Sequence, residues 1–245
     1  MVRYSCMKER TVRTEMLISQ KGLDILSQCR VAVFGVGGVG GYVVEALARI
    51  GIGKLDIIDD DCVVESNLNR QIIATYDTIG KVKVDAMKQR ILSINPDCQV
   101  TALQSFYLPD KKDLFDFAEY DYIVDAIDTV TAKISLIEEA QASNVPIISA
   151  MGCGNRLDPS KLTVTDIYKT VNDPLAKVMR HELKKRHIRK LKVVYSTELP
   201  LKPLFQPEEK GKRRDIPGSA VFVPASAGLL IGYEVCRDLL EGKIK

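Results

Sequence analysis

The sequence has no C-x-x-C pair. Its six cysteines stand at 6, 29, 62, 98, 153 and 236, and no spacing among them suggests a zinc site. No apolar run approaches the ~20 residues that span a bilayer. Residues 1–16, MVRYSCMKERTVRTEM, lack the apolar core of a signal peptide. There is no internal repeat, and 16 glycines and 10 prolines in 245 residues are too few for a low-complexity chain. Net charge is nearly missing as well: 35 basic against 32 acidic side chains leave +3. These absences exclude a membrane span and a disulfide or zinc scaffold, and the expectation is a reduced, cytoplasmic protein with no membrane partner.

What is there is ordinary globular material, 46% hydrophobic and 27% charged. A chain of this length hides roughly 70–75% of its unfolded surface, so it needs no covalent staple. The balanced charge conceals a local excess. Lys177, Arg180, Lys184, Lys185, Arg186, Arg189, Lys190 and Lys192 face a single acid, Glu182, within sixteen residues. A smaller basic cluster, Lys210, Lys212, Arg213 and Arg214, lies in a stretch with four prolines, 199–217, which reads as a long loop. Local basic runs in an otherwise acidic chain point to an anionic partner.

Short apolar runs at 30–34, 54–59, 99–103, 122–126 and 145–150 read as strands, and segments 38–50, 81–94 and 131–143 as helices. Strands alternating with helices over 30–150 predict a doubly wound, mainly parallel α/β sheet of Rossmann type. Beyond it, strands at 161–169 and 192–198 flank a helix at 174–187, and a helix opened by Pro224 covers 224–240. This is a C-terminal strand–helix extension.

Gly35-Val36-Gly37-Gly38-Val39-Gly40 follows a strand and opens a helix. In that context G-x-G-x-x-G lets backbone amides approach a phosphate at the positive end of a helix. Asp59 ends the next strand, 19 residues after Gly40, where a carboxylate can accept ribose hydroxyls. These features indicate a nucleotide without separating a dinucleotide from ATP. The following run, Asp59-Asp60-Asp61-Cys62-Val63-Val64-Glu65-Ser66-Asn67-Leu68-Asn69-Arg70-Gln71, is unlike a dehydrogenase. Arg70 offers a planar fork for phosphate oxygens. Lys83, in G-K-x-K-V, adds a compact second charge, and Asp128, past the fourth strand, is placed to hold Mg²⁺. Adenylation needs such groups, to offset charge on the α-phosphate and the departing pyrophosphate.

At these residues the chain resembles the ubiquitin-activating-enzyme-like superfamily, the ThiF, MoeB and HesA type of adenylating proteins. The resemblance rests on GVGGVG, D-x-x-x-V-x-x-S-N-x-N-R-Q, G-K-x-K-V and D-A-I-D in order. It implies one ThiF-type unit over 1–245, with a nucleotide-binding core at 30–150 and a substrate-binding and dimerisation extension at 151–245. It implies ATP and Mg²⁺, with Gly35, Gly37, Gly38 and Gly40 around the nucleotide and Asp59 on ribose. Asn67, Arg70 and Lys83 would contact phosphates and Asp128 would bind magnesium. Arg13 falls where the family carries an arginine that reaches into the partner subunit's site of a homodimer, so Arg13, Arg70, Lys83 and Asp128 form the expected catalytic set.

Two departures narrow the branch: the sequence lacks the zinc-binding C-x-x-C pairs usual in sulfur-carrier activators, and 200–214 is free of cysteine. Cys153, beside the expected site, reads as a small buried thiol rather than a nucleophile, and Cys236 as core. The run Arg156-Leu157-Asp158-Pro159-Ser160-Lys161-Leu162-Thr163, with Lys169-Thr170-Val171-Asn172-Asp173-Pro174 and Tyr195-Ser196-Thr197-Glu198, resembles the branch that dehydrates threonylcarbamoyladenosine in tRNA. The two basic clusters, Lys177 to Lys190 and Lys210 to Arg214, would then track tRNA phosphates. A sulfur-transfer protein is a further conceivable partner, and DNA is not expected. The alternatives are an adenylyltransferase acting on a ubiquitin-like sulfur carrier, an NAD-binding oxidoreductase, and a non-catalytic scaffold that keeps the nucleotide fold, against which the intact Arg70, Lys83 and Asp128 argue.

Overall fold

Seven short strands form one sheet in the computed structural model, which describes residues 9–205 and 216–243. The strands are β1 (Arg30–Phe34), β2 (Lys54–Ile58), β3 (Gln99–Leu103), β4 (Tyr122–Asp125), β5 (Ile147–Ala150), β6 (Leu162–Asp166) and β7 (Lys192–Ser196). Their order is β3-β2-β1-β4-β5-β7-β6, and every pairing is parallel except the edge pair β6–β7. Residues 31–34 of β1 are fully buried because both faces of the sheet are covered, which is why the strand reads as an unbroken apolar run.

Six helices cover the sheet: α1 (Val12–Gln28), α2 (Gly40–Ile50), α3 (Lys83–Ile94), α4 (Val130–Ala142), α5 (Pro174–Lys185) and α6 (Phe222–Leu240). Side chains of α1, α2, α3 and α6 pack on one face, against Val31, Val33, Leu55, Ile57 and Val124. On the other face α4 meets Phe34 and the aromatic residues Tyr107, Phe115 and Phe117, and it meets α5 through Ile134, Ile137, Met179 and Leu183. Chain direction across the sheet reverses between β1 and β4. Open α/β sheets leave a crevice at such a point, beyond the carboxyl ends of the strands.

Hydrophobic periodicity assigns no element to residues 12–28. Helix α1 is broken at Ser19 (φ 62°, ψ 167°) and buries only Gly22, Leu23 and Leu26, so no continuous apolar stripe marks it. Elsewhere the elements differ from expectation at their ends. Helix α6 begins two residues ahead of Pro224, which is tolerated because first-turn amides have no intrahelical partner. Helix α5 stops at Lys185, and His187 takes a left-handed φ of 59°. No described helix is long and apolar enough to cross a membrane.

Helix α6 lies directly on α2. A Cβ at Gly228 would come 2.7 Å from the Tyr42 Cβ, and one at Gly232 would come 2.7 Å from the Ala46 Cβ. The C-terminal helix thereby buttresses the helix that carries the glycine loop.

Candidate functional site

The glycine loop turns sharply out of β1. Gly35 has φ +91°, and a side chain there would collide with the Ala126 carbonyl at 2.6 Å. A Cβ at Gly40 would overlap the Gly35 carbonyl oxygen, so the first turn of α2 closes back onto the loop only with glycine at both positions. Asp59 holds the loop from the next strand: its carboxylate accepts the Val36 amide at 2.7 Å and the Asp61 amide at 3.0 Å.

After β2 the chain makes a long excursion and returns. The Val63 amide donates to the Lys81 carbonyl at 2.8 Å, and the Lys83 amide to the Asp61 carbonyl at 2.9 Å. This pairing brings the first residue of α3 back to the strand ends. The Lys83 ammonium lies 2.7 Å from Asp61 and 3.8 Å from Asp59, and the residue is only 5% exposed. Burial raises the Asp59 pKa above the ordinary carboxylate value, and the nearby Lys83 charge opposes that rise.

A cavity of about 540 Å³ opens here, at the β1–β4 switch point. Gly35, Gly37 and Gly38 line it together with Asp59, Asn67, Arg70, Lys83 and Asp128. Asn67 accepts the Val64 amide on Oδ1 at 3.2 Å, which leaves its amide nitrogen for a ligand. Arg70 donates to the Ser66 carbonyl and the Asn69 Oδ1, both at 2.9 Å, and meets no carboxylate among the described residues. Loss of water lowers the pKa of its guanidinium. Asp128 is exposed at the cavity wall, and among the described residues no side chain neutralises it. The acidic group Asp59, Asp60 and Asp61 is also close-set, but Lys83 already sits against two of its members. Asp128 therefore fits a divalent cation better, since magnesium commonly takes one carboxylate and completes its shell with phosphate oxygens and water.

The structure thus brings all the expected nucleotide-site residues to one cavity except two. Gly40 stands behind it in the first turn of α2. Arg13, in the first turn of α1, is exposed, does not line the cavity, and has no hydrogen bond or ion pair among the described residues. Other lining residues carried no expectation, Gln71, Phe106, Pro217 and Ser219 among them. Gln71 is 7% exposed, lines the cavity, and its Oε1 has no hydrogen-bond partner among the described residues. Its place beside Arg70 in the polar run is the available signal. Phe106 adds a half-exposed aromatic wall beyond β3, and Pro217 with Ser219 forms part of another side. Cys153 also borders the cavity, and burial pushes its thiol up to about 12, which leaves it un-ionised.

Of the expected RNA-binding cations, Lys177, Lys184, Arg189 and Lys190 are exposed and make no ion pair among the described residues. Three others are engaged. Arg180 donates to the Thr170 carbonyl at 3.0 Å, Lys185 pairs with Glu182 at 2.9 Å, and Arg186 pairs with Glu182 at 2.8 Å and Glu138 at 3.3 Å. The Lys185 and Arg186 contacts hold the Glu182 pKa down, to about 2. Lys210, Lys212, Arg213 and Arg214 lie outside the described residues. The α5 N-terminus is anchored beside the cavity: Asp173 caps it through the Ala176 amide at 2.9 Å and accepts the Gly152 amide at 3.1 Å.

Backbone amides, a guanidinium, an ammonium and a free carboxylate around one cavity suit a polyphosphate with its metal. The ThiF family model matches residues 10–233. The chain belongs to the ThiF family. Among ThiF relatives, the tRNA threonylcarbamoyladenosine dehydratase of Bacillus subtilis (strain 168) is 42% identical over 94% of each chain. Crystal structures of the tRNA N6-threonylcarbamoyladenosine dehydratase of E. coli in complex with AMP and with ATP are 34% and 33% identical. Each covers 98% of this chain and 97% of its own, with a TM-score of 0.87.

Proposed function

We propose that this protein is an ATP-dependent dehydratase that cyclises threonylcarbamoyladenosine next to the anticodon of tRNA. The observation that carries this reading is the Arg70 guanidinium, held over the glycine loop with no carboxylate partner among the described residues and sharing a nucleotide-sized cavity with Asp128. Likeness to dehydratases along nearly the whole chain supports the choice of substrate.

A carboxylate is a poor electrophile because its leaving group would be oxide. In the first step the threonyl carboxylate attacks the α-phosphate of ATP, pyrophosphate leaves, and an acyl-adenylate forms. The neighbouring carbamoyl group then attacks the acyl carbon and AMP leaves. The nucleoside loses one water overall. An intramolecular nucleophile acts at high effective molarity, so no catalytic cysteine is required. The un-ionised Cys153 thiol accords with this. Asp59 would orient the ribose, the amides at Gly35–Gly38 and Asn67 would hold phosphates, and Phe106 would cover the base. Arg70 and Lys83 would offset charge as pyrophosphate departs. Magnesium at Asp128 would neutralise phosphate oxygens. Lys177, Lys184, Arg189 and Lys190 would carry tRNA phosphates away from the cavity along α5. Arg13, exposed and without an ion pair among the described residues, would complete the site of a second copy in a homodimer. A reaction on tRNA is expected in the cytoplasm.

Incubating the protein, ATP and tRNA carrying threonylcarbamoyladenosine, then weighing the nucleoside by mass spectrometry, tests the reading. Loss of one water with release of AMP is expected. An unchanged nucleoside, together with pyrophosphate exchange stimulated by a carrier protein ending in Gly-Gly, would replace it with the sulfur-carrier reading.

A further inference from the structure

Residues 216–219 line one side of the nucleotide cavity through Pro217 and Ser219, and they are stitched down from two directions. From one direction comes Asn155. Its Oδ1 accepts the Gly218 amide at 2.6 Å, and its own amide donates to the Gly218 carbonyl at 2.7 Å. Its carbonyl also accepts the Leu201 amide at 2.7 Å. The residue sits at φ 58°, a left-handed conformation that asparagine tolerates better than most side chains. Beside it Gly154 leaves no room to spare, since a Cβ there would lie 2.8 Å from the Pro217 Cβ.

From the other direction comes Asn69. Its Nδ2 donates to the Ser219 carbonyl at 2.8 Å, and its Oδ1 accepts from Arg70 at 2.9 Å. A carboxamide is planar, so fixing the nitrogen end fixes where the oxygen points. Asn69 therefore passes the position of Ser219 on to the Arg70 guanidinium. The remaining hydrogen bond of Arg70, to the Ser66 carbonyl, comes from the same Nη1 nitrogen. An arginine held before its ligand arrives loses less rotamer freedom on binding.

We propose that Asn69 is a positioning residue that sets the Arg70 guanidinium from the seating of residues 216–219, with Asn155 holding that segment in place. The proposal rests on the reading of Arg70 as a phosphate ligand and adds the device that orients it. It makes the wall of the cavity and the phosphate-binding cation a single unit.

The test is a double-mutant cycle read as ATP affinity by calorimetry, in the presence of magnesium and the absence of tRNA. The proteins are wild type, Asn155→Gly, Arg70→Ala and the double variant, all as full-length chains. Glycine accepts the left-handed φ, so Asn155→Gly removes the side-chain hydrogen bond without backbone strain. It should weaken ATP binding about fivefold in the wild-type background. In the Arg70→Ala background it should have no further effect, because its influence passes through Arg70. Asn155→Asp keeps the acceptor for Gly218 and should restore wild-type affinity. Asn69→Ala, at an exposed position, cuts the same link from the other side and should also have no effect without Arg70. Additive losses would overturn the coupling, since residues 216–219 would then act on the nucleotide independently of Arg70. Unchanged affinity in both Asn155→Gly and Asn69→Ala would overturn it too. If Arg70→Ala alone leaves affinity intact, Arg70 is no phosphate ligand and the proposal falls with that reading.

Discussion

Lys83 differs from a surface lysine in what its removal leaves behind. From the sequence it is expected near the surface of a cleft, where replacement would barely affect folding. The structure buries it against Asp59, with the exposed Asp61 beside it, so truncation leaves the largely buried Asp59 carboxylate without its cation. Lys83→Met, which keeps the volume, should slow adenylation about 100-fold or more, as Arg70→Ala should, in single-turnover assays of AMP formation. It should also change the pH response. Burial already raises the Asp59 pKa, and Lys83 is the largest influence holding it down. Without that charge the pKa climbs further, so Asp59 takes up its proton at a higher pH. On the proposed role of Asp59 as the ribose acceptor, ATP binding should then be lost at higher pH in Lys83→Met than in wild type, as a titration of ATP affinity against pH would show. Cys153 carries the opposite expectation. With its thiol pushed up to about 12 by burial, Cys153→Ala should retain activity, and wild type should resist alkylation of that thiol at pH 8 as followed by peptide mass mapping. The glycines, Asp59, Asn67, Arg70, Lys83 and Asp128 are legible in the sequence because their spacing follows a strand–turn–helix pattern. Gln71 and Phe106 are not, since whether a side chain faces a cavity depends on packing that periodicity does not encode.

Among the elements, α5 illustrates the same division. The eight-to-one excess of basic over acidic residues between 177 and 192, in α5 and the segment after it, is visible as a run, but not which cations are free. Arg180, Lys185 and Arg186 already have partners within the protein, whereas Lys177, Lys184, Arg189 and Lys190 have none among the described residues. Reversing these four to Glu should weaken tRNA binding and leave ATP affinity intact. Each cation that no longer neutralises a phosphate should flatten the log–log salt dependence by about 0.9 on a duplex and about 0.7 on a single strand. Neutralising Lys185 and Arg186 should instead change the slope little. Filter-binding titrations across salt concentrations check both. The α2–α6 pair makes a stability prediction. Leucine at Gly228 would meet the Tyr42 Cβ and the Val39 carbonyl, pushing the two helices apart at a cost of about 1–3 kcal/mol or more, readable as a lowered melting temperature. Helices with a clear stripe, such as α3, are legible. Helix α1 is not, because its break at Ser19 resets the period halfway along.

At the scale of the whole molecule, the parallel sense of β1 to β5 follows from strands alternating with helices, whereas their order and the antiparallel β6 at the far edge do not. The pairing of β5 with β7, which skips β6 in sequence, is a long-range choice that local pattern leaves open. Arg13 belongs to this scale. It lies off its own cavity, so the catalytic role proposed for it calls for a second copy. Arg13→Ala and Asp128→Ala proteins, each inactive alone, should regain activity when mixed and allowed to exchange subunits, reaching about a quarter of the intact sites in an equal mixture of a two-fold dimer. Activity assays on the mixture, with a sedimentation measurement of mass, decide this, and a fully active monomer would sink it. The seating of α6 on α2 bears on biosynthesis. The glycine turn at 35–40 is made well before α6, the helix that backs it. A nascent chain halted before residue 222 would hold the glycine turn, Asp59, Arg70, Lys83 and Asp128 without that support, so ATP recognition should emerge only once α6 has been made.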